Sequence, residues 1–310
     1  MEPPHAPAST RQTSPLLIAA LGVLSGCLID VCVKYLASDI NVFVLTVWRF
    51  IFGGGYALAL FLALGRAWPR WEAWRFHTMR GVIHLVAALT FFYSLTQLGL
   101  AEATVMGFTA ALMIAPIARV LLGERFGGLS VLAAGIGFAG AAITLSGDTG
   151  GAPPDGNRAL GAAAVMVGAV TYATSVVLLR MRAQKEDTLT IVMLSNVLPA
   201  ILGLPILFIV GAPPAASDFP VLALLGLFGL GIWWMFTLAY GRAPAQRLAP
   251  LEYTALIWSA LFGWIVFGEV PGWPLYAGAA VIIGACLLVA FEGPILSAWK
   301  TRRLLRGRPG

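Results

Sequence analysis

Charge is what this chain has least of. Asp, Glu, Lys and Arg make up 11% of its 310 residues, against about 25% in soluble domains. A soluble chain of this length needs a polar surface to face water, and the side chains for one are missing here, so lipid is the predicted outer solvent. Cysteine is almost as scarce: Cys27, Cys32 and Cys286 all lie inside apolar stretches, which excludes a disulfide framework and a metal-ligand spacing. No H-E-x-x-H, G-x-S-x-G or G-x-x-x-x-G-K-[ST] occurs, so metal-activated water, a serine nucleophile and nucleotide-driven pumping are not expected. The chain is read as a non-enzyme with no cofactor and no metal. An intramembrane enzyme, the alternative from another class, would need facing catalytic carboxylates or histidines that the sequence hardly offers. The net charge of +6 does not signal nucleic acid, because the basic residues sit in short loops and form no stripe or patch.

What is present in excess is apolar length. Hydrophobic residues make up 59% of the chain. Ten runs are long enough to cross a hydrocarbon core of about 30 Å: 16–37, 42–64, 79–98, 101–120, 128–146, 159–181, 188–210, 219–240, 250–267 and 274–291. They are continuously apolar rather than alternating, which predicts helices and not a barrel. Turn chemistry separates them, at Gly65-Arg66, Gly147-Asp148, Pro153-Pro154-Asp155-Gly156, Pro213-Pro214 and Pro271-Gly272. Residues 1–15 read as a disordered polar tail and 292–310 as a basic cytoplasmic tail. The first run carries Asp30 and Lys34 and lacks a cleavage pattern, so it reads as a span, not a signal peptide.

Orientation follows from the basic residues. With the N-terminus in the cytoplasm, 17 Lys and Arg fall on the inner side, and only Arg158 falls on the outer side. This is a positive-inside pattern that places both termini in the cytoplasm. The halves also echo each other. Ala111 and Leu112 recur as Ala255 and Leu256, and Gly123-Glu124 recurs as Gly268-Glu269. Five spans per half is an odd number, so the second half enters the membrane from the opposite side. The expected fold is all-α and integral to the membrane: ten transmembrane helices as two five-helix inverted repeats, at 16–146 and 159–291, joined by an outer loop at 147–158. Inverted repeats commonly frame a midplane site with two alternating openings, which predicts a transporter.

The two Gly-Glu helix endings, Lys34 near the end of the first span, Arg49 in the second, Asn196 in the seventh and the stretch PLEYTALIWSALFGWIVFGE at 250–269 carry a resemblance. The chain resembles the drug/metabolite transporter superfamily, specifically its EamA-type permeases, over about residues 16–291. It departs from a common family pattern at Ala111 and Leu256, where members often have proline. The resemblance implies alternating access by two five-helix halves about a central cavity, in a bacterial inner membrane. The general look is similar to bacterial amino-acid exporters, so outward movement of amino acids is the first expectation. Uptake of a larger metabolite and efflux of a cationic drug are the alternatives. The expected partners are a small-molecule substrate and the bilayer.

Charges inside spans are costly and mark candidate sites. Asp30 and Lys34 are spaced i,i+4, as an ion pair on one helix face would be; otherwise Asp30 serves an ammonium group or a proton, and Lys34 snorkels outward. Arg49 either receives a substrate carboxylate or pairs with Asp30. His84 either bonds a backbone carbonyl or acts in proton coupling. Tyr93 and Gln97 share a face of the third span. Asn196, with Ser195, Thr171, Tyr172, Thr174 and Ser175, offers uncharged hydrogen bonding. Trp258, with Trp233, Trp234 and Tyr253, is read as belt or pocket wall. Glu102 and Glu252 sit near helix N-termini, where the dipole favours an acid.

Overall fold

The computed structural model describes residues 14–123, 128–147, 153, 155–182, 186–211, 213–240 and 251–290. Among these the regular structure is helical throughout, without a strand. The helices are α1 (Pro15–Leu36), α2 (Val42–Ala63), α3 (Trp71–Leu95), α4 (Leu100–Gly107), α5 (Thr109–Leu122), α6 (Gly128–Leu145), α7 (Arg158–Arg182), α8 (Thr188–Val210), α9 (Phe219–Tyr240), α10 (Ala255–Phe267) and α11 (Trp273–Ala290). Among the described residues seven candidate spans, counting α4 and α5 as one, are long and apolar enough to cross a membrane, and three shorter apolar helices accompany them. Leu, Ile, Phe and Trp side chains stand exposed along them, Phe208 at 87% and Ile265 at 63%, as lipid-facing surfaces require.

Packing unites early helices with late ones. The main pairs are α1 with α9, α2 with α8 and α9, α3 with α7 and α8, and α6 with α11. Small residues allow this. A Cβ added at Gly278 of α11 would lie 2.0 Å from Thr144 Oγ1 and 2.6 Å from the Gly140 carbonyl of α6. Without lipid-excluding hydrophobic force between helices, such close backbone approach supplies van der Waals contact instead.

Three expectations about the spans need correction. The third helix begins at Trp71, eight residues before the apolar run predicted at 79. Its first two turns, Trp71 to Thr78, form an amphipathic helix with Glu72 in the first turn. Arg80, one of the 17 basic residues counted on the inner side, is buried within α3. The fourth span is not continuous: at Phe108 the N–H is shared between the Thr104 and Val105 carbonyls, both at 3.2 Å, and Ala111 N–H bonds back three residues to Phe108 O. The ninth is interrupted likewise, with turn geometry at Tyr253 and Thr254 before α10. Both breaks occur without proline, and the Phe108 and Tyr253 rings meet edge-to-face at 5.4 Å.

Candidate functional site

Five helices and the α4–α5 break converge on a cavity of about 280 Å³, near the lower end of the roughly 300–1,000 Å³ of small-molecule sites. Asp30 comes from α1, Arg49 from α2, His84 from α3 and Tyr172 from α7. Phe91, Phe92, Phe108, Trp233 and Phe236 supply aromatic wall. Gly26 and Gly168 leave room where α1 and α7 line it.

The polar groups here are under-satisfied. Arg49 is 5% exposed, and its Nε and Nη1 have no hydrogen-bond partner. Its guanidinium lies 4.4 Å from the Phe50 ring centroid and 5.8 Å from that of Phe92. Asp30 interacts electrostatically with Arg49, yet the described residues contain no direct ion pair between them. His84 is held edge-on between Phe50 at 5.5 Å and Trp233 at 5.3 Å, and neither ring nitrogen has a partner. Burying unmet polar groups costs free energy, and here a buried guanidinium and imidazole both border the cavity.

The other candidates stand elsewhere. Lys34 does not pair with Asp30. Its Nζ reaches Glu269 Oε1 and donates to Leu98 O at 2.9 Å, while Glu269 Oε2 accepts from Leu100 N–H at 2.8 Å. Leu100 opens α4, so Glu269 satisfies one of that helix's orphan donors and ties it to α1. The reason Glu269 points there is Gly268, whose φ of +66° ends α10 in a left-handed turn; Gly123 ends α5 in the same way at +67°. Glu124 lies outside the described residues. Glu102 is bound by Arg158, at 2.6 Å from Nη2 and 3.2 Å from Nε, so an ion pair joins the dipole effect at that helix start.

Tyr93 stacks on Phe43 at 5.9 Å. Gln97 Oε1 accepts from Asn157 N–H at 2.8 Å. Asn196 donates to Val192 O at 2.9 Å, and its Oδ1 closes on Gly53 of α2. Trp258 stacks on Phe262 at 6.0 Å. None of these four lines the cavity. Thr171 and Thr174 donate to carbonyls of their own helix. Among the cavity residues that sequence reasoning missed are Phe91, Phe92, Thr104, Phe108 and Phe236; an aromatic pair at 91–92 in an apolar run carries no signal of which way it faces. The thiols of Cys27 and Cys286 donate to the Ala255 and Phe108 carbonyls, at the two helix breaks.

Comparison with known proteins finds named transporters. An S-adenosylmethionine uptake transporter of Rickettsia prowazekii (strain Madrid E) is 24% identical over 272 residues, covering 88% of this chain and 90% of its own. A riboflavin transporter of Rhizobium johnstonii (strain DSM 114642 / LMG 32736 / 3841) is 28% identical over 247 residues, covering 78% of each chain. A solved crystal structure with 23% identity superposes at a TM-score of 0.62, covering 90% of this chain and 98% of that one, and shows the shared fold. The family model described as the EamA-like transporter family matches twice, at residues 13–146 and 159–291, which is most of the sequence. This chain, a multi-pass membrane protein, therefore belongs to the EamA-like transporter family.

Proposed function

We propose that the chain takes up a zwitterionic metabolite carrying a flat ring, by alternating access through the cavity. The observation that carries the reading is the presence, in one aromatic-walled volume, of a carboxylate (Asp30) and a buried guanidinium (Arg49) whose Nε and Nη1 have no hydrogen-bond partner among the described residues. Arg49 receives the substrate's carboxylate through its planar fork, Asp30 faces its cationic group, and the ring of the substrate stacks among Phe91, Phe92 and Trp233. Named relatives move S-adenosylmethionine and riboflavin, both of which contain fused heterocycles, and this favours uptake of a larger metabolite over the amino-acid export expected first.

The mechanism rests on ten crossings arranged as two oppositely oriented repeats, 16–146 and 159–291, with both termini cytoplasmic in a bacterial inner membrane. Two features support it. The family model matches each half once. The packing pairs also survive exchange of the halves: α1 with α9 maps onto α7 with α3, and α2 with α9 maps onto α8 with α3. Purified protein in liposomes, offered labelled S-adenosylmethionine, riboflavin and single amino acids, tests the reading. Saturable flux of a ring-bearing zwitterion is expected. Asp30→Asn and Arg49→Gln each raise its half-saturation concentration about tenfold or more, the loss of a hydrogen bond to a charged group of about 1.5–3 kcal/mol. Flux of none of these, or flux indifferent to both variants, contradicts it.

A further inference from the structure

A second buried polar cluster lies away from the cavity, and transport as read above makes no use of it. His77, about two turns into α3, is 1% exposed. Its Nε2 lies 2.7 Å from Glu186 Oε2. Glu186 stands in the turn before α8, 109 residues away and in the other matched segment. The opposite carboxylate oxygen is 3.6 Å from Arg182 Nη1 at the end of α7, and Arg182 is fixed over the Phe76 ring at 4.8 Å. One turn beyond His77, the buried Arg80 donates through Nη2 to Ser195 Oγ of α8.

Three buried atoms of this cluster have no hydrogen-bond partner among the described residues: His77 Nδ1, Arg80 Nη1 and Glu186 Oε1. A packing contact that only joined helices would not leave so many unmet at one spot. The charged groups around the ring are Glu186 from the α7–α8 turn, Arg182 from α7 and Arg80 from α3 itself. Asp187, next in the chain, is engaged by Arg66 at 3.7 Å.

We propose that His77 and Glu186 form a proton-binding site that bridges the two matched segments, so that opening of this end of the molecule takes up a proton. Imidazole changes charge in the physiological range. Charged, the ring donates Nε2–H to Glu186 as a true ion pair, and its Nδ1–H has no acceptor. When that Nδ1 proton passes to water, the ring becomes neutral; Nε2–H remains, and the ionic attraction to Glu186 is lost. No bond other than N–H is broken.

The burial supplies the coupling. In the bridged arrangement the ring is sealed, so the proton exchanges only when the segments part. Bridged, a charged ring is cut off from water, lies beside the guanidiniums of Arg80 and Arg182, and buries an Nδ1–H with no acceptor, which together outweigh the attraction of Glu186. Once the segments part, water solvates that charge. The neutral form therefore favours the bridged state and the protonated form the open one, and the linkage is reciprocal.

The inference rests on the alternating-access reading, and its test needs no substrate. In a background with Cys27, Cys32 and Cys286 replaced by alanine, Ala88→Cys in the cavity wall reports opening. It is labelled by a membrane-impermeant maleimide applied from the face that carries residues 66–70 and 186–187. Rates at each pH are normalised to a Ser14→Cys reporter, which removes the intrinsic pH dependence of thiol labelling. With His77 and Glu186 in place, normalised labelling falls roughly fivefold or more between pH 5.5 and 8, the scale of ordinary coupling. In His77→Gln, and separately in Glu186→Gln in case the first does not fold, the fall disappears. A full fall retained in either folded variant, or a flat or rising profile with both residues present, overturns the proposal. A reporter that never labels from this face at any pH overturns alternating access itself, and the proton site with it.

Discussion

The two ends of the molecule are tied across the matched segments by different chemistry. At the end where α1 meets α10, the contacts are Lys34 with Glu269 and Arg158 with Glu102. These pairs enclose residues 98–102 from two sides, with backbone at Leu98 and Leu100 drawn in. At the end where α3 meets the α7–α8 turn, the contacts are His77 with Glu186 and the exposed Arg66 with Asp187. One end is held by ammonium and guanidinium pairs with well-met hydrogen bonds, the other by an imidazole with an unmet nitrogen. In the proposed alternating access, proton concentration biases one end and substrate alone the other.

The largest expected effect falls on the Lys34–Glu269 end. Glu269→Ala leaves Lys34 buried without its counter-charge and α4 without its cap. It lowers stability by about 3–5 kcal/mol, read as a drop in unfolding temperature in detergent. The paired change Lys34→Met with Glu269→Met costs less than either single replacement, because no lone charge is left behind. If the double variant is as damaged as the sum of the singles, the two ends do not differ in the way described.

Next comes the backbone that aims Glu269. Gly268→Ala and Gly123→Ala both force an L-residue into a left-handed turn, at about 1–2 kcal/mol each. The excess of the first over the second, from the same thermal measurement, gives what aiming Glu269 adds. The smallest effect belongs to Arg66→Ala. Its pair with Asp187 is long, at 3.7 Å, and both side chains are largely exposed, so stability should move by less than about 0.5 kcal/mol.

Much of this architecture is legible in the sequence because a bilayer imposes it. Apolar runs near 20 residues specify the helices at 15–36, 42–63 and 188–210 almost to the residue. Asp30, Arg49 and His84 announce themselves as polar groups in apolar runs, and all three line the cavity. The start of α3 was hidden because Trp71 to Thr78 mixes charge with aromatics, and hydropathy reads such a helix as loop. The facing of Tyr93, Gln97, Asn196 and Trp258 was not legible: residue type says what a side chain can do, while helix rotation decides where it does it. Nor were the ion pairs legible, since Lys34 and Glu269 are separated by 235 residues, and only packing brings them together.

The most direct test of the central claim, a cavity opened alternately at two differently held ends, is to lock one end and probe both. Lys34→Cys and Glu269→Cys are joined by a short bifunctional thiol reagent, and a photoreactive group placed at Ala88 then reports access to impermeant quenchers from each face. The account predicts that the cross-link abolishes access from the Lys34–Glu269 face and leaves access from the His77–Glu186 face intact. Undiminished access from the Lys34–Glu269 face after complete cross-linking would contradict it.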